Sequence, residues 1–329
     1  MRLVLRAQTD EQIQYAAQLG CDGVMAPWHL KGAHPDGYLN YADLVRLKSR
    51  IESYGLTLEG FSTPPWRLCY KWLLGLPGRD EQIEKLQTAM RDMGAAGISL
   101  GVFHMHALRF YRTSNHASER AGARSTSFEW ARVADAPLMA GGPGMNLSLI
   151  PASHRRSISD EEMWENYSYF IRAVVLVAEE SGVKLALHPD DPQVPVIAGV
   201  ARIMRTPEAF RRALSIAPSE NLGIKFCVGC WSQMGADVVS EIHHFCSQNK
   251  VFLVDYRNVR GVVDHFQETF LDNGQENMAE VMRAFVEAGY EGPIGPDHAA
   301  RLVGDNPRGD RYWAYAIGYM RALLQVLQG

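Results

Sequence analysis

An eight-fold parallel β/α barrel is the fold class this sequence predicts, and three observations predict it. Short apolar runs alternate with longer stretches of helical period, eight times over, along the 329 residues. The helical stretches carry readable start and stop signals. No internal repeat or linker divides the chain, so residues 1–329 read as a single barrel domain, and an apolar content of 47% can fill its core.

In chain order the expected strands are RLVLR (2–6), GVMAP (23–27), LTLEGF (56–61), GISLGVF (97–103), VKLALH (183–188), LGIKFC (222–227), KVFLVD (250–255) and GPIGPD (292–297). Each is a short apolar run of the kind that a parallel sheet buries on both faces. Between them, TDEQ (9–12) and SDEE (159–162) read as capping boxes, and TPEAF (206–210) puts Pro207 at a first helical position. After Ser159, the residues Met163, Trp164, Tyr167, Phe170, Ile171, Val174 and Ala178 make one apolar stripe. Gly20, Gly55, Gly94, Gly182 and Gly289 fall where helix ends are expected. One connection breaks the rhythm. Residues 104–159, rich in Arg, Ser, Gly and Ala, follow the fourth strand and read as a lid-like insertion over the C-terminal mouth, where barrel enzymes keep their active sites.

Composition narrows the function. A formal charge of −4 argues against a nucleic-acid partner, which needs a basic face. No window approaches the roughly 18 consecutive apolar residues of a membrane helix. The opening MRLVLRAQTDE has too short an apolar run for a secretory signal. Five cysteines, an odd number without framework spacing, point to reduced thiols and a cytoplasmic protein.

The chemistry gathers at the ends of the last four strands. In LALHPDDPQVP (185–195) an apolar run ends on His188, and the prolines after it forbid the ladder to continue. The next three strands end on Cys227, Asp255 and Asp297. Each alone has an ordinary reading: a hydrogen-bonded histidine, a core cysteine, a turn-opening aspartate. Ringing one mouth, these N, S and O donors suit a divalent transition metal. FCVGC (226–230) offers a rival, because Cys227 and Cys230 form CxxC, a redox motif or half a zinc site. No second CxxC exists and no helix-start context is evident, so the metal reading leads. Cys21, Cys69 and Cys246 read as core or helix residues.

LALHPDDP, KFCVG, DYRNVRG and GPDHAA resemble, in order and spacing, the signature segments of the mannonate dehydratase family, a xylose-isomerase-like barrel. GRDEQIEKLQTAMRDMGAAGI (78–98) and RFYRTS (109–114) resemble its helix and its Arg-Thr stretch. The resemblance implies Mn²⁺ or Fe²⁺ as cofactor, conversion of D-mannonate to 2-keto-3-deoxy-D-gluconate plus water, and a homo-oligomer. It implies ligands at His188, Cys227, Asp255 and Asp297, and a catalytic histidine at His298. Two departures stand out. The family's histidine before the Arg-Asn pair is Asp255 here, which can still ligate these metals but adds a negative charge; Arg257, two residues on, is the expected compensating cation. GVFHMHALRF carries His104, Met105 and His106 where the family has an Asn-Phe-Met-Pro-like run.

Dehydration needs a base for the C2 proton and an acid for the departing C3 hydroxyl. His298 takes one role, and Tyr312 or Tyr315 the other. Arg112 and Arg257 are expected to clamp the substrate carboxylate, and Asn258, His265, His104 and His106 to touch its hydroxyls. His243 and His244 read as surface residues. Trp28, His29 and His34 follow the second strand as pocket-closing candidates, and Glu59 is either an inward acid or a satisfied core carboxylate. Two alternatives remain open: a metal-dependent sugar isomerase or epimerase on the same barrel, and a noncatalytic sugar-acid-binding barrel.

Overall fold

The computed structural model describes residues 1–28, 37–108, 110–133, 135–139 and 147–328. The eight strands are β1 (Arg2–Arg6), β2 (Gly23–Ala26), β3 (Thr57–Phe61), β4 (Leu100–His104), β5 (Lys184–His188), β6 (Leu222–Cys227), β7 (Val251–Tyr256) and β8 (Pro293–Pro296). All are parallel, and β1 pairs with both β2 and β8, which closes the barrel. A barrel helix follows each strand: α1 (Asp10–Gln18), α2 (Tyr41–Glu52), α3 (Arg79–Ala95), α4 (Asp160–Ser181), α5 (Pro207–Ile216), α6 (Val238–Ser247), α7 (Met278–Glu287) and α8 (Asp310–Gln328), with short extra helices at Tyr70–Leu73 and Val228–Gln233. The predicted barrel is therefore the observed one.

The start signals work as read. Ser159 closes a full capping box with Glu162, and Thr206 caps α5 ahead of Pro207. Thr9 accepts from Gln12 N, although the Gln12 side chain reaches Gln8 N instead of closing the box. Gly94 is a correction. It lies inside α3 with the Ser181 carbonyl 2.2 Å from where a Cβ would stand, so it permits close packing of α3 on the end of α4. The left-handed residue after α3 is Gly97 (φ +70), which is why β4 begins later than the apolar run suggested.

Registry steps the strand ends around the mouth: Leu187 pairs with Ile224, which sets Lys225 opposite His188, and Asp255 pairs with Gly295, two residues short of Asp297. His104 pairs with His188, Cys227 with Asp255, and Tyr256 with Pro296. Two residues below Arg6, His104, His188 and Asp255 lie Val4, Val102, Ala186 and Leu253, members of a separate buried apolar cluster. With a side-chain period of two, that cluster fills the barrel and the polar residues above it rim the mouth.

The stretch after β4 has its own structure. Strands Ser114–Ser118 and Arg124–Glu129 pair antiparallel, and the second pairs with His265–Glu268, which pairs with Val259–Val262 in the connection after β7. Arg124 also exchanges backbone hydrogen bonds with Arg301, in the connection after β8. The stretch after β4 is thus fastened to two other C-terminal connections.

Candidate active site

Four donors converge where β5 to β8 end. His188 Nδ1 lies 2.6 Å from the Pro189 carbonyl, which can only accept, so Nδ1 carries the proton and Nε2 is the available donor atom. That Nε2 is 3.5 Å from Asp255 Oδ2. Burial opposes a charged imidazole, but hydrogen bonds with Asp255 and Cys227 outweigh it and push His188 up to about 9. Burial likewise works to raise the Cys227 thiol; the hydrogen bond from Cys230 and the Arg257 guanidinium hold it well below the ordinary thiol range. These surroundings favour the thiolate at Cys227, while burial pushes the neighbouring Cys230 thiol well up.

Asp297 meets Arg6 through Oδ1 at 2.9 Å and His298 through Oδ2 at 3.2 Å. Asp255 ion-pairs with Lys225 at 2.7 Å. Burial works against the Asp255 carboxylate, yet the Lys225 ammonium keeps its acidity stronger than usual. Imidazole, thiolate and carboxylate are the donor chemistry that Mn²⁺ or Fe²⁺ accepts, and His188, Cys227 and Cys230 bring donor atoms within 4.8 Å of one another, so the residues present fit such a metal.

A second cluster frames the first. Arg112 donates to both Asp191 oxygens at 2.6 and 2.8 Å and to Glu268 at 2.7 Å. Arg257 donates to both Glu268 oxygens at 2.6 and 2.8 Å, and reaches Cys227 Sγ and Cys230 Sγ, each at 3.1 Å. His298 faces this frame, with Nε2 3.8 Å from Asp191 and Nδ1 3.9 Å from Glu268. Its backbone is left-handed (φ +53), a conformation that a non-glycine residue keeps only where its surroundings impose it.

These contacts correct several expectations. Arg112 and Arg257 are not positioned as substrate clamps, because buried protein carboxylates already occupy their guanidinium edges. Asp255 is compensated by Lys225 rather than by Arg257. Asn258 is structural: its amide donates to the Leu271 and Glu276 carbonyls and accepts from Val259 N and Glu276 N. His265 is exposed on the outer sheet, and no contact among the described residues joins it to the donors. The segment Val228–Gln233 is a short helix with Cys227 at its N-cap, so the helix-start context missed in the sequence is present.

Tyr312 and Tyr315 separate cleanly. Tyr315 donates to Asp272 at 2.7 Å. Tyr312 is fully buried, its hydroxyl has no hydrogen-bond partner among the described residues, and it feels the charges of Glu268 and Asp297. His104 and His106 stack 3.6 Å apart, with His106 edge-on to His188 at 5.8 Å, and form one wall of the site. Trp28 is buried against Phe61, whereas His29 and His34 lie outside the described residues. Glu59 is the satisfied core carboxylate, bonded twice by Arg2. His243 is exposed, and His244, partly buried, bonds Gln248 one turn on.

Four participants escaped the sequence reading. Asp191 was visible as the second carboxylate of PDDP and Arg6 as the last residue of β1. Lys225 was visible as a lysine two residues before Cys227 in an apolar strand. Glu268 gave no signal, because its partner Arg112 is 156 residues away. A cavity of about 370 Å³ at the opposite barrel end is lined by Arg2, Glu59, Lys184 and Tyr290. Arg2 and Glu59 satisfy each other there, and it lacks the strand C-terminal ends where such barrels work.

Comparison with known proteins gives the family. The family model described as D-mannonate dehydratase (UxuA) matches residues 1–329. A mannonate dehydratase of Streptococcus pneumoniae is 32% identical over 287 residues, covering 83% of this chain and 78% of that protein. Mannonate dehydratase 2 of Halalkalibacterium halodurans is 29% identical over 279 residues, covering 80% of each. The crystal structure of mannonate dehydratase from Streptococcus suis serotype 2 has a TM-score of 0.85 at 27% identity, covering 99% of this chain and 93% of that one. A D-psicose 3-epimerase of Clostridium cellulolyticum H10, at 14% identity and a TM-score of 0.64 over 98% of this chain and 99% of that one, shares the fold. With the family model matched from end to end and a relative above 30% identity, this chain belongs to the D-mannonate dehydratase (UxuA) family.

Proposed function

We propose that this chain dehydrates a sugar acid, with D-mannonate the leading substrate and 2-keto-3-deoxy-D-gluconate the product. The observation that carries the proposal is the gathering of His188, Cys227, Asp255 and Asp297 at the ends of β5 to β8, with His298 and Tyr312 beside them in a chain of this family. These four residues would hold Mn²⁺ or Fe²⁺. A divalent ion there supplies Lewis-acid stabilisation of the charge that develops when the C2 proton leaves.

The protein's own groups do the rest. His298, oriented by Asp297, Asp191 and Glu268, takes the C2 proton. The Tyr312 phenol is kept neutral by burial, which suits it to protonate the departing C3 hydroxyl. Arg6, with its side chain 58% exposed above Asp297, is the guanidinium placed to meet the substrate carboxylate. The stretch after β4 acts as the lid that excludes water, and its attachment to the β7 and β8 connections supports that role. All five cysteines are buried, which suits a cytoplasmic enzyme, and among the described residues no helix is long and apolar enough to cross a membrane.

A metal-dependent sugar epimerase is the second reading, favoured by a carboxylate, Asp255, where the family has an imidazole. The test is to incubate Mn²⁺-loaded protein with a panel of sugar acids and ketoses and identify the products. A 2-keto-3-deoxy acid from D-mannonate is expected. An epimerised ketose with no dehydrated acid would overturn the proposal, and binding without turnover would leave a noncatalytic barrel.

A further inference from the structure

In the layer beneath the mouth, β1, β4, β5 and β7 place Val4, Val102, Ala186 and Leu253, and β8 places Gly295. At the equivalent position β6 places Lys225, 5% exposed, two residues before Cys227. A lysine is almost never buried without a partner. Here the partner is Asp255, the residue that departs from the family's histidine, with the ammonium 2.7 Å from Oδ2. Among the described residues, both ion-pair contacts of Asp255, with Lys225 and with His188, fall on that one oxygen. A carboxylate has a second oxygen to offer a metal. Lys225 also acts electrostatically on His188 and Asp297, so it lies within reach of three of the four donors.

We propose that Lys225 is a positioning residue of the metal site, and that the Lys225–Asp255 pair together replaces one neutral imidazole. Lys225 ion-pairs with one Asp255 oxygen, leaves the other for the metal, and cancels the negative charge that aspartate adds. The donor set then presents the same net charge to a sugar-acid carboxylate as a histidine-containing set would. This inference rests on the metal-dependent reading above. It also changes the meaning of Asp255→His: alone, that substitution leaves Lys225 as an uncancelled cation beside the metal, so it does not restore the family's site.

The experiment compares wild type, Lys225→Met, Asp255→His and the double variant. Each is stripped of metal, and Mn²⁺ affinity and then D-mannonate affinity are measured by calorimetry. Removing the ammonium should tighten Mn²⁺ binding and weaken D-mannonate binding, each by at least about tenfold for one fixed charge at this range. A merely structural lysine would lower both. Asp255→His alone should weaken Mn²⁺ binding by at least about tenfold, and adding Lys225→Met should return it to within about threefold of wild type. If Lys225→Met weakens Mn²⁺ binding, or Asp255→His and the double variant bind it equally, Lys225 does not balance the site and the proposal is overturned. Should Asp255→His fail to fold, the opposed shifts in Lys225→Met still decide it. If wild type itself does not bind Mn²⁺, the metal-dependent reading falls and takes this one with it.

Discussion

Two acidic clusters share the mouth of this barrel, and cations meet both in different ways. Asp191 and Glu268 are saturated: all four of their oxygens accept from Arg112 or Arg257. Asp255 and Asp297 each meet one basic side chain at close range, Lys225 or Arg6, next to a thiolate and an imidazole nitrogen. Carboxylates gripped on both oxygens by guanidinium groups have less donor capacity to spare, so the first cluster is a rigid frame. The second keeps donor capacity and becomes the candidate metal site. Charge alone does not mark a site; what remains after the protein has satisfied its own groups does.

Breaking the frame should have the largest effect. Arg257→Met removes the one cation shared by Glu268, Asp191 and both thiols, leaving buried charges uncompensated. Removing one partner of a buried ion pair typically costs about 3–5 kcal/mol, so a matching loss is expected in denaturant unfolding. A variant within about 0.5 kcal/mol of wild type would show that the frame carries little.

His298 belongs to both clusters by contact but ligates in neither assignment. His298→Asn should lower turnover by about 10²–10⁴ while Mn²⁺ content stays near wild type. Loss of metal together with activity would move His298 into the ligand set.

The two cysteines sharpen the same contrast within a single turn. Cys227→Ser should weaken Mn²⁺ binding strongly, because the thiolate is the donor. Cys230→Ser should have a much smaller effect, since Cys230 donates to that thiolate and accepts from Arg257, both of which a serine hydroxyl can do. Equal losses measured by metal titration would favour a paired CxxC role.

The smallest effect is on acid stability. Asp191 is buried, which disfavours its charge, but Arg112 and Arg257 hold its folded-state acidity well below the ordinary carboxylate range. A depressed folded value means that its stabilisation is present above the unfolded value of about 4 and is lost as pH falls below it. Wild type should therefore lose stability below about pH 4 with a steeper slope than Asp191→Asn. Equal slopes in acid-unfolding curves would show that the frame does not set this loss.

How much of this was legible follows from the range of each interaction. His188, Cys227, Asp255 and Asp297 could be placed because strand ends are marked locally, by apolar runs stopping at prolines, glycines and polar residues. Tyr312 and Tyr315 could not be told apart, since three residues on one helix differ here only in what other elements bring to them. Arg112 and Arg257 were misread for the same reason: a sequence shows a guanidinium but not the Glu268 and Asp191 that the outer sheet and the β5 connection deliver to it. Lys225 was legible in principle, as a charge at a barrel-filling position of period two.

The most direct test of the account is activity against metal content. Protein stripped with a chelator, then reloaded with Mn²⁺ or Fe²⁺, is assayed for 2-keto-3-deoxy-D-gluconate from D-mannonate. No product is expected from the stripped protein, with activity recovered on reloading. Full activity in metal-free protein, or none in protein with a filled site, would contradict that expectation.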